Sequence, residues 1–206
     1  MKENYQIKME EIIHSIDSNK VPKLLLQACC APCSSYVLEL LSNYFKITIV
    51  YYNPNIYPVS EYEKRLTEVR KLVKLIKTNN PIDILEVDYD NNSFKNISKG
   101  LENEKEGGVR CHKCYYLRME KVAELAKKYN YDYFTTTLSI SPYKDAQILN
   151  RIGEVLEEKY QVKYLYADFK KKEGYKRSIE LSKQFNLYRQ EYCGCKYSMP
   201  KKEETL

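Results

Sequence analysis

Five strand-length apolar segments, each followed by a stretch with helical or turn character, constrain this chain more than any other feature. Residues 22–28 contain the continuous run Leu24-Leu25-Leu26, the mark of a strand buried on both faces. Residues 34–42 then turn helical. A second strand over 47–52 ends at the turn signal Asn53-Pro54-Asn55. Residues 59–77 place Tyr62, Leu66, Val69, Val73 and Ile76 on one helical face. A third strand covers 82–87, and the polar stretch 88–108 reads as a loop or short helices. Residues 114–129 form an amphipathic helix through Leu117, Val122, Leu125 and Ala126. A fourth strand (131–137), a helix (143–159), a fifth strand (162–166) and a last helix (175–185) complete the pattern. Strands alternating with helices of this length demand right-handed crossovers and parallel pairing. The expected fold is α/β, an open, mostly parallel, five-stranded Rossmann-like sheet with helices on both faces. Residues 1–206 are expected to form a single α/β domain, with 186–206 a cysteine-containing tail over the rim. Ligands of such sheets bind beyond the carboxyl ends of the strands.

The seven cysteines fall into three tight groups: Cys29-Cys30-Ala31-Pro32-Cys33, Cys111-His112-Lys113-Cys114 and Cys193-Gly194-Cys195. The first group follows strand one. Pro32 favours a helix start there, where free N–H groups stabilise anions and lower thiol pKa values. Cys111 and Cys114 stand at chelating spacing just before a crossover helix, and their loop opens near the same rim. With two thiolates from the first group they offer four soft ligands, which suit zinc or a [4Fe-4S] cluster alike. His112 reads as a surface residue rather than a ligand. Cys193 and Cys195 are too close to chelate one tetrahedral metal easily. They can close a small, strained disulfide, a form suited to reversible redox work.

The chain carries 43% hydrophobic and 30% charged residues, as expected of a soluble globular protein. No stretch approaches the roughly 18 apolar residues of a membrane span, and residues 1–30 show no signal peptide. A cytoplasmic protein is expected, with its thiols reduced by default. The formal charge is +6, and from Lys163 onward eleven Lys/Arg face six Asp/Glu, which gives +5 of it. A polyanionic partner follows from that asymmetry. Lys170, Lys171, Lys172, Lys176, Arg177 and Arg189 are candidate phosphate contacts. Tyr188, Tyr192 and Tyr197, among the 21 tyrosines, are candidate stacking or lid residues.

Further motifs accompany the cysteines: Tyr115 with Leu117-Arg118, Thr137-Leu138-Ser139 with Ser141-Pro142-Tyr143-Lys144, and Asp168-Phe169-Lys170-Lys171 with Gly174 and Ser178. Leu187-Tyr188-Arg189-Gln190 and Tyr192-Cys193-Gly194-Cys195-Lys196-Tyr197-Ser198 end the set. Together with the three cysteine groups these closely resemble the QueH-type epoxyqueuosine reductases over nearly the whole chain. The resemblance implies reduction of the epoxide of epoxyqueuosine, at the wobble position of tRNA, to the alkene of queuosine. It implies a [4Fe-4S] cluster on Cys29, Cys30, Cys111 and Cys114. It also implies a second iron, for which Cys33 is the candidate ligand, and a redox-active pair at Cys193 and Cys195.

Loss of an epoxide oxygen needs two electrons and protons, and no ordinary side chain supplies such electrons. Ferredoxin or flavodoxin, or a thiol reductant acting through Cys193 and Cys195, is the expected source. Tyr143 and Lys144 are the candidate proton donors, with Ser141 and His112 nearby. Asp145 and Asp168 are expected to form structural salt bridges, the alternative being to orient a cation or ligate a metal. A tRNA sulfurtransferase is the first alternative, but it requires a Ser-Gly-Gly-x-Asp loop where Cys29-Cys30-Ala31-Pro32-Cys33 stands. The second is a non-catalytic RNA-binding module with structural zinc, which leaves Cys193 and Cys195 idle.

Overall fold

The structure, a computed structural model, describes residues 3–17 and 19–200, so positions 201–206 of the expected tail lie outside the described residues. Five strands, β1 (Lys23–Gln27), β2 (Lys46–Val50), β3 (Ile82–Leu85), β4 (Tyr133–Thr136) and β5 (Lys163–Tyr164), pair in the order β3-β2-β1-β4-β5. Every pairing is parallel. The chain grows outward from β1 through β2 to β3, then crosses back to β4 and β5. The strand order reverses between β1 and β4, and the crevice beyond their carboxyl ends is where such sheets place ligands.

Side chains of the central strands alternate between two cores. Leu24, Leu26, Ile47 and Ile49 enter one, while Leu25, Val50 and Phe134 enter the other. The first core is roofed by α2 (Ala31–Leu41), α3 (Val59–Leu75) and α7 (Gly174–Gln184). The second is roofed by α5 (Val109–Lys128) and α6 (Ala146–Tyr160). Leu24, Leu25 and Leu26 have no exposed surface, and each contributes roughly 1.5–3 kcal/mol by burial. Among the described residues no helix is long and apolar enough to cross a membrane.

The expected α/β architecture stands, and its departures have local causes. An N-terminal helix, α1 (Tyr5–His14), was not apparent in the sequence; Asn4 caps it, and it buries Tyr5, Gln6 and Met9. The polar stretch 88–108 contains α4 (Asn91–Ser98), started by the Asp90 side chain accepting from the Ser93 N–H at 3.2 Å and anchored by buried Phe94. β5 is shorter than expected because Asn150 captures the chain beyond it. The Asn150 side chain accepts from the Ala167 N–H and donates to the Ala167 carbonyl, both at 2.9 Å. β4 stops where the Thr136 hydroxyl accepts from the Leu138 N–H and starts the 3₁₀ turn Thr137–Ile140. Finally, α5 begins at Val109, so Cys111 and Cys114 lie within its first turns and not in a loop before it.

Gly174 opens α7 against the first core with no room for a side chain. A Cβ there would lie 2.0 Å from the Phe169 carbonyl oxygen and 2.5 Å from the Tyr36 ring. Gly174→Ala is therefore expected to destabilise the protein by about 1–3 kcal/mol, against the gain that alanine brings to a helix. Thermal denaturation measures this, and an unchanged or higher Tm would contradict the packing described.

Candidate active site

Three cysteine groups reach the carboxyl rim by three different routes. Cys30 is the N-cap of α2, and its sulfur accepts from the Cys33 N–H at 3.5 Å. That first turn gathers Cys29, Cys30 and Cys33, whose sulfurs lie within 4.8 Å of one another. Among the described residues no other three potential metal donors stand so close together, and Cys111 and Cys114, the other two expected cluster ligands, are outside this group. Cys29 and Cys30 are 3.7 Å apart, Thr137 from the end of β4 donates to Cys29 at 3.5 Å, and Gln190 of the tail donates to Cys30 at 3.0 Å.

The second group stands on one face of α5, since three positions is nearly one turn. Cys111 is half-buried and accepts from the Gly107 N–H at 3.2 Å, while Cys114 is buried. The third group arrives with the tail. Cys195 packs with Cys114 and Phe94 in a small buried cluster, and Cys193 is half-buried. All seven cysteines are free thiols, so the expected disulfide between Cys193 and Cys195 is not present. Gly194 between them takes φ +127°, a conformation that favours glycine.

Arg65 holds that tail. It is buried within the apolar stripe of α3 and pairs with Glu61 at 2.7 Å. Its two terminal nitrogens donate to the carbonyls of Cys193 at 3.1 Å and Tyr192 at 3.2 Å. The Tyr57 N–H donates to the Gly194 carbonyl at 2.8 Å, and the Tyr192 hydroxyl donates to the Tyr57 carbonyl at 2.6 Å. The Tyr188 hydroxyl donates to Glu61 at 3.2 Å. Tyr188 and Tyr192 are thus parts of the clamp, each with a cation over its ring, Lys64 and Arg65 respectively. Tyr197 likewise packs on Phe94 under the Arg110 guanidinium.

The thiols share protons unequally. Hydrogen bonds from Cys30 and Cys33 hold the Cys29 thiol well below its ordinary pKa, while the Cys30 thiol is pushed up to about 12 by giving its proton to Cys29. Burial pushes Cys114 up to about 12, opposed by Arg118. Lys144, half-buried, would lose its proton more readily through burial alone. The thiols of Cys193, Cys29 and Cys33 instead hold its pKa above the usual lysine value. Arg118 is buried and also within electrostatic reach of Cys114, Cys193 and Cys29.

This donor set fits a thiolate-bound metal centre. The donors are soft sulfurs, two cations face them, and no carboxylate or imidazole joins the Cys29, Cys30 and Cys33 group among the described residues. Buried polar atoms without partners stand close by: the Gln190 Oε1, beside the nitrogen bonded to Cys30, the Arg118 Nη2 and the Tyr51 hydroxyl. Such orphans are rare in proteins and mark places built for another group.

The remaining expected contacts divide. Lys170 pairs with Asp168 at 2.8 Å, Lys172 with Glu10, and Arg177 with Glu39 and Glu180 at 2.7 and 3.1 Å. Among the described residues no carboxylate lies within ion-pair distance of Lys171 or Arg189. Asp168 forms the expected salt bridge with Lys170, whereas Asp145 instead caps α6 through the Gln147 N–H and forms no ion pair among the described residues. Tyr143 is 82% exposed. Sequence reasoning gave no role to Gln27, Asn53 or Arg65, or to Arg118 and Gln190 within the quoted motifs. The readable signal was a charge inside an apolar stripe: Arg65 lies between Tyr62 and Val69, and Arg118 lies one turn after Cys114.

Arg65→Met is expected to free the tail, since each lost bond from a charged donor is worth about 1.5–3 kcal/mol. Cys193 should then alkylate on the order of tenfold faster or more in the native protein, read by mass spectrometry of labelled peptides. Unchanged labelling in a folded variant would contradict the clamp.

Comparison with known proteins agrees with this layout. The sequence model of the family described as Epoxyqueuosine reductase QueH matches residues 24–201. A protein of Staphylococcus epidermidis named Epoxyqueuosine reductase QueH is 42% identical over 205 residues, covering 97% of this chain and 86% of that one. The protein of the same name from Streptococcus pyogenes serotype M1 is 40% identical, covering 96% and 78%. That of Haemophilus influenzae is 42% identical, covering 86% and 71%. With cysteines, cations and tail clamp on one rim and the family match running through all of them, the chain belongs to the QueH family of epoxyqueuosine reductases, oxidoreductases of queuosine biosynthesis.

Proposed function

We propose that this protein reduces epoxyqueuosine in tRNA to queuosine, in the cytoplasm, through a [4Fe-4S] centre on Cys29, Cys30, Cys111 and Cys114 and a second iron for which Cys33 is a ligand. The observation that carries the proposal is the gathering of the Cys29, Cys30 and Cys33 sulfurs at the switch point of the sheet, with Lys144 and Arg118 within electrostatic reach of them and of Cys114 and Cys193. When bound, such a centre supplies the low-potential electrons that side chains cannot.

The reaction consumes two electrons and two protons and releases the epoxide oxygen as water. Cys193 and Cys195, both reduced in the structure, match that need, because their oxidation to a disulfide releases two electrons and two protons. A thiol reductant, ferredoxin or flavodoxin then restores the centre. Lys144 holds a proton firmly beside the thiols and delivers it to the leaving oxygen. Tyr143, the other candidate donor, is better placed to stack on an anticodon base. It borders a groove of about 630 Å³ that Lys144, Lys170 and Lys171 also line. The anticodon loop is already single-stranded, so presenting the modified base there costs little unpairing. Lys171 and Arg189, free of ion pairs among the described residues, are the basic side chains best available to phosphate. Lys170, Lys172 and Arg177 must first exchange an acidic partner.

The test is anaerobic incubation of the iron-loaded protein with epoxyqueuosine tRNA and a low-potential reductant. Nucleoside mass spectrometry should show loss of one oxygen from the modified base. Iron-loaded wild-type protein that leaves the base unchanged would contradict the proposal. Lys144→Met should retain its iron and lower the rate by roughly 10²–10⁴-fold.

A further inference from the structure

Arg118 is a buried charge that no carboxylate compensates among the described residues. It is 2% exposed, and among the described residues no carboxylate lies within ion-pair distance of it. Arg65, equally buried, has Glu61. Arg118 has only neutral acceptors: its Nε donates to the Cys114 carbonyl at 3.3 Å and its Nη1 to the Asn53 side-chain oxygen at 3.4 Å. Its Nη2 has no partner. A buried charge of this kind costs several kcal/mol unless an opposite charge stands near. Burial lowers its pKa, and the Cys114, Cys193 and Cys29 thiols together outweigh that effect.

The guanidinium is also fixed in place. Asn53 Oδ1 accepts from Gln27 Nε2 at 3.1 Å as well as from Arg118, and Asn53 Nδ2 donates to the Ala28 carbonyl at 2.8 Å. The Thr136 hydroxyl donates to Gln27 Oε1 at 2.8 Å. Thr136, Gln27 and Asn53 are each at most 1% exposed. This brace joins the carbonyl just before Cys29 to the carbonyl of Cys114. The two cysteine groups and the cation between them are therefore held as one unit, by amides and a hydroxyl that bring no counter-charge of their own.

We propose that Arg118 is the fixed counter-cation of the thiolate-bound centre and sets its reduction potential, with Asn53 and Gln27 as the positioning residues that hold it. Reduction adds one negative charge to the centre. A nearby fixed cation stabilises the reduced form more than the oxidised form and raises the potential. The screening that a flexible surface lysine would suffer does not apply to a buried, braced guanidinium. This inference rests on the reading of an iron–sulfur centre at these cysteines, and the experiment separates the two.

Wild type, Arg118→Met and Arg118→Lys are purified without oxygen, and iron and sulfide content are measured before spectroelectrochemical titration. Arg118→Met at wild-type iron content should show an electron-accepting equilibrium about tenfold less favourable, a fall of ~59 mV for a one-electron couple. Arg118→Lys, which keeps the charge, should stay close to wild type. Equal potentials in wild type and Arg118→Met at equal iron content would overturn the inference. If Arg118→Met fails to fold or hold iron, Arg118→Lys decides: wild-type potential supports the charge role, and a tenfold loss or absence of the centre overturns it. A wild-type protein without iron and sulfide would instead overturn the underlying reading of the site.

Discussion

The rim of this sheet is organised by how the protein disposes of buried positive charge. Of the three buried arginines among the described residues, two sit on helices that pack against opposite faces of the sheet, Arg65 on α3 and Arg118 on α5. Arg65 is neutralised by Glu61 and spends its remaining donors on two tail carbonyls. Among the described residues no carboxylate neutralises Arg118, and the thiols of Cys114, Cys193 and Cys29 are the groups that favour its charge. One arginine thus seats the tail thiols and the other faces the thiols that the tail approaches. Removing a partner from either leaves an uncompensated interior charge, which is among the most costly single changes a protein can suffer.

The electrostatics of the thiols follow from that placement. Cys29 accepts hydrogen bonds from its two neighbours and is the natural thiolate of its group, while Cys30 and Cys114, more deeply buried, resist ionisation until a metal or a closer cation compensates them. Lys144 and Arg118 supply fixed positive charge where negative charge would gather. The same arrangement keeps Lys144 protonated, so one side chain can both stabilise sulfur and carry a proton toward a substrate. The tail completes the site late in the chain, and its reduced dithiol stands next to Cys114 without being joined across Gly194.

Much of the fold could be read in advance because its strands are marked twice, by apolar runs such as Leu24-Leu25-Leu26 and by turn residues such as Asn53-Pro54-Asn55. Parallel order and the rim position of the first cysteine group followed from the alternation of strand and helix. Three things escaped. α1 is only weakly amphipathic, so periodicity did not reveal it. The start of α5 was obscured because Cys111, His112, Lys113 and Cys114 read as a chelating loop, although the same spacing is one turn of helix. The packing of Tyr188 and Tyr192 could not be foreseen because aromatic residues beside basic ones fit RNA stacking and intramolecular cation–π packing equally well. The buried brace of Thr136, Gln27, Asn53 and Arg118 has no local signature at all, since it joins four separate elements through side chains that are unremarkable one by one.

We propose that the thiols at this rim bind an iron–sulfur centre and not a structural zinc. Anaerobic purification followed by an absorption spectrum and analysis of iron, zinc and inorganic sulfide tests it most directly. A brown protein with broad visible absorption, about four sulfides per chain and iron in excess of that number is expected. A colourless protein holding one zinc per chain and no sulfide would contradict it.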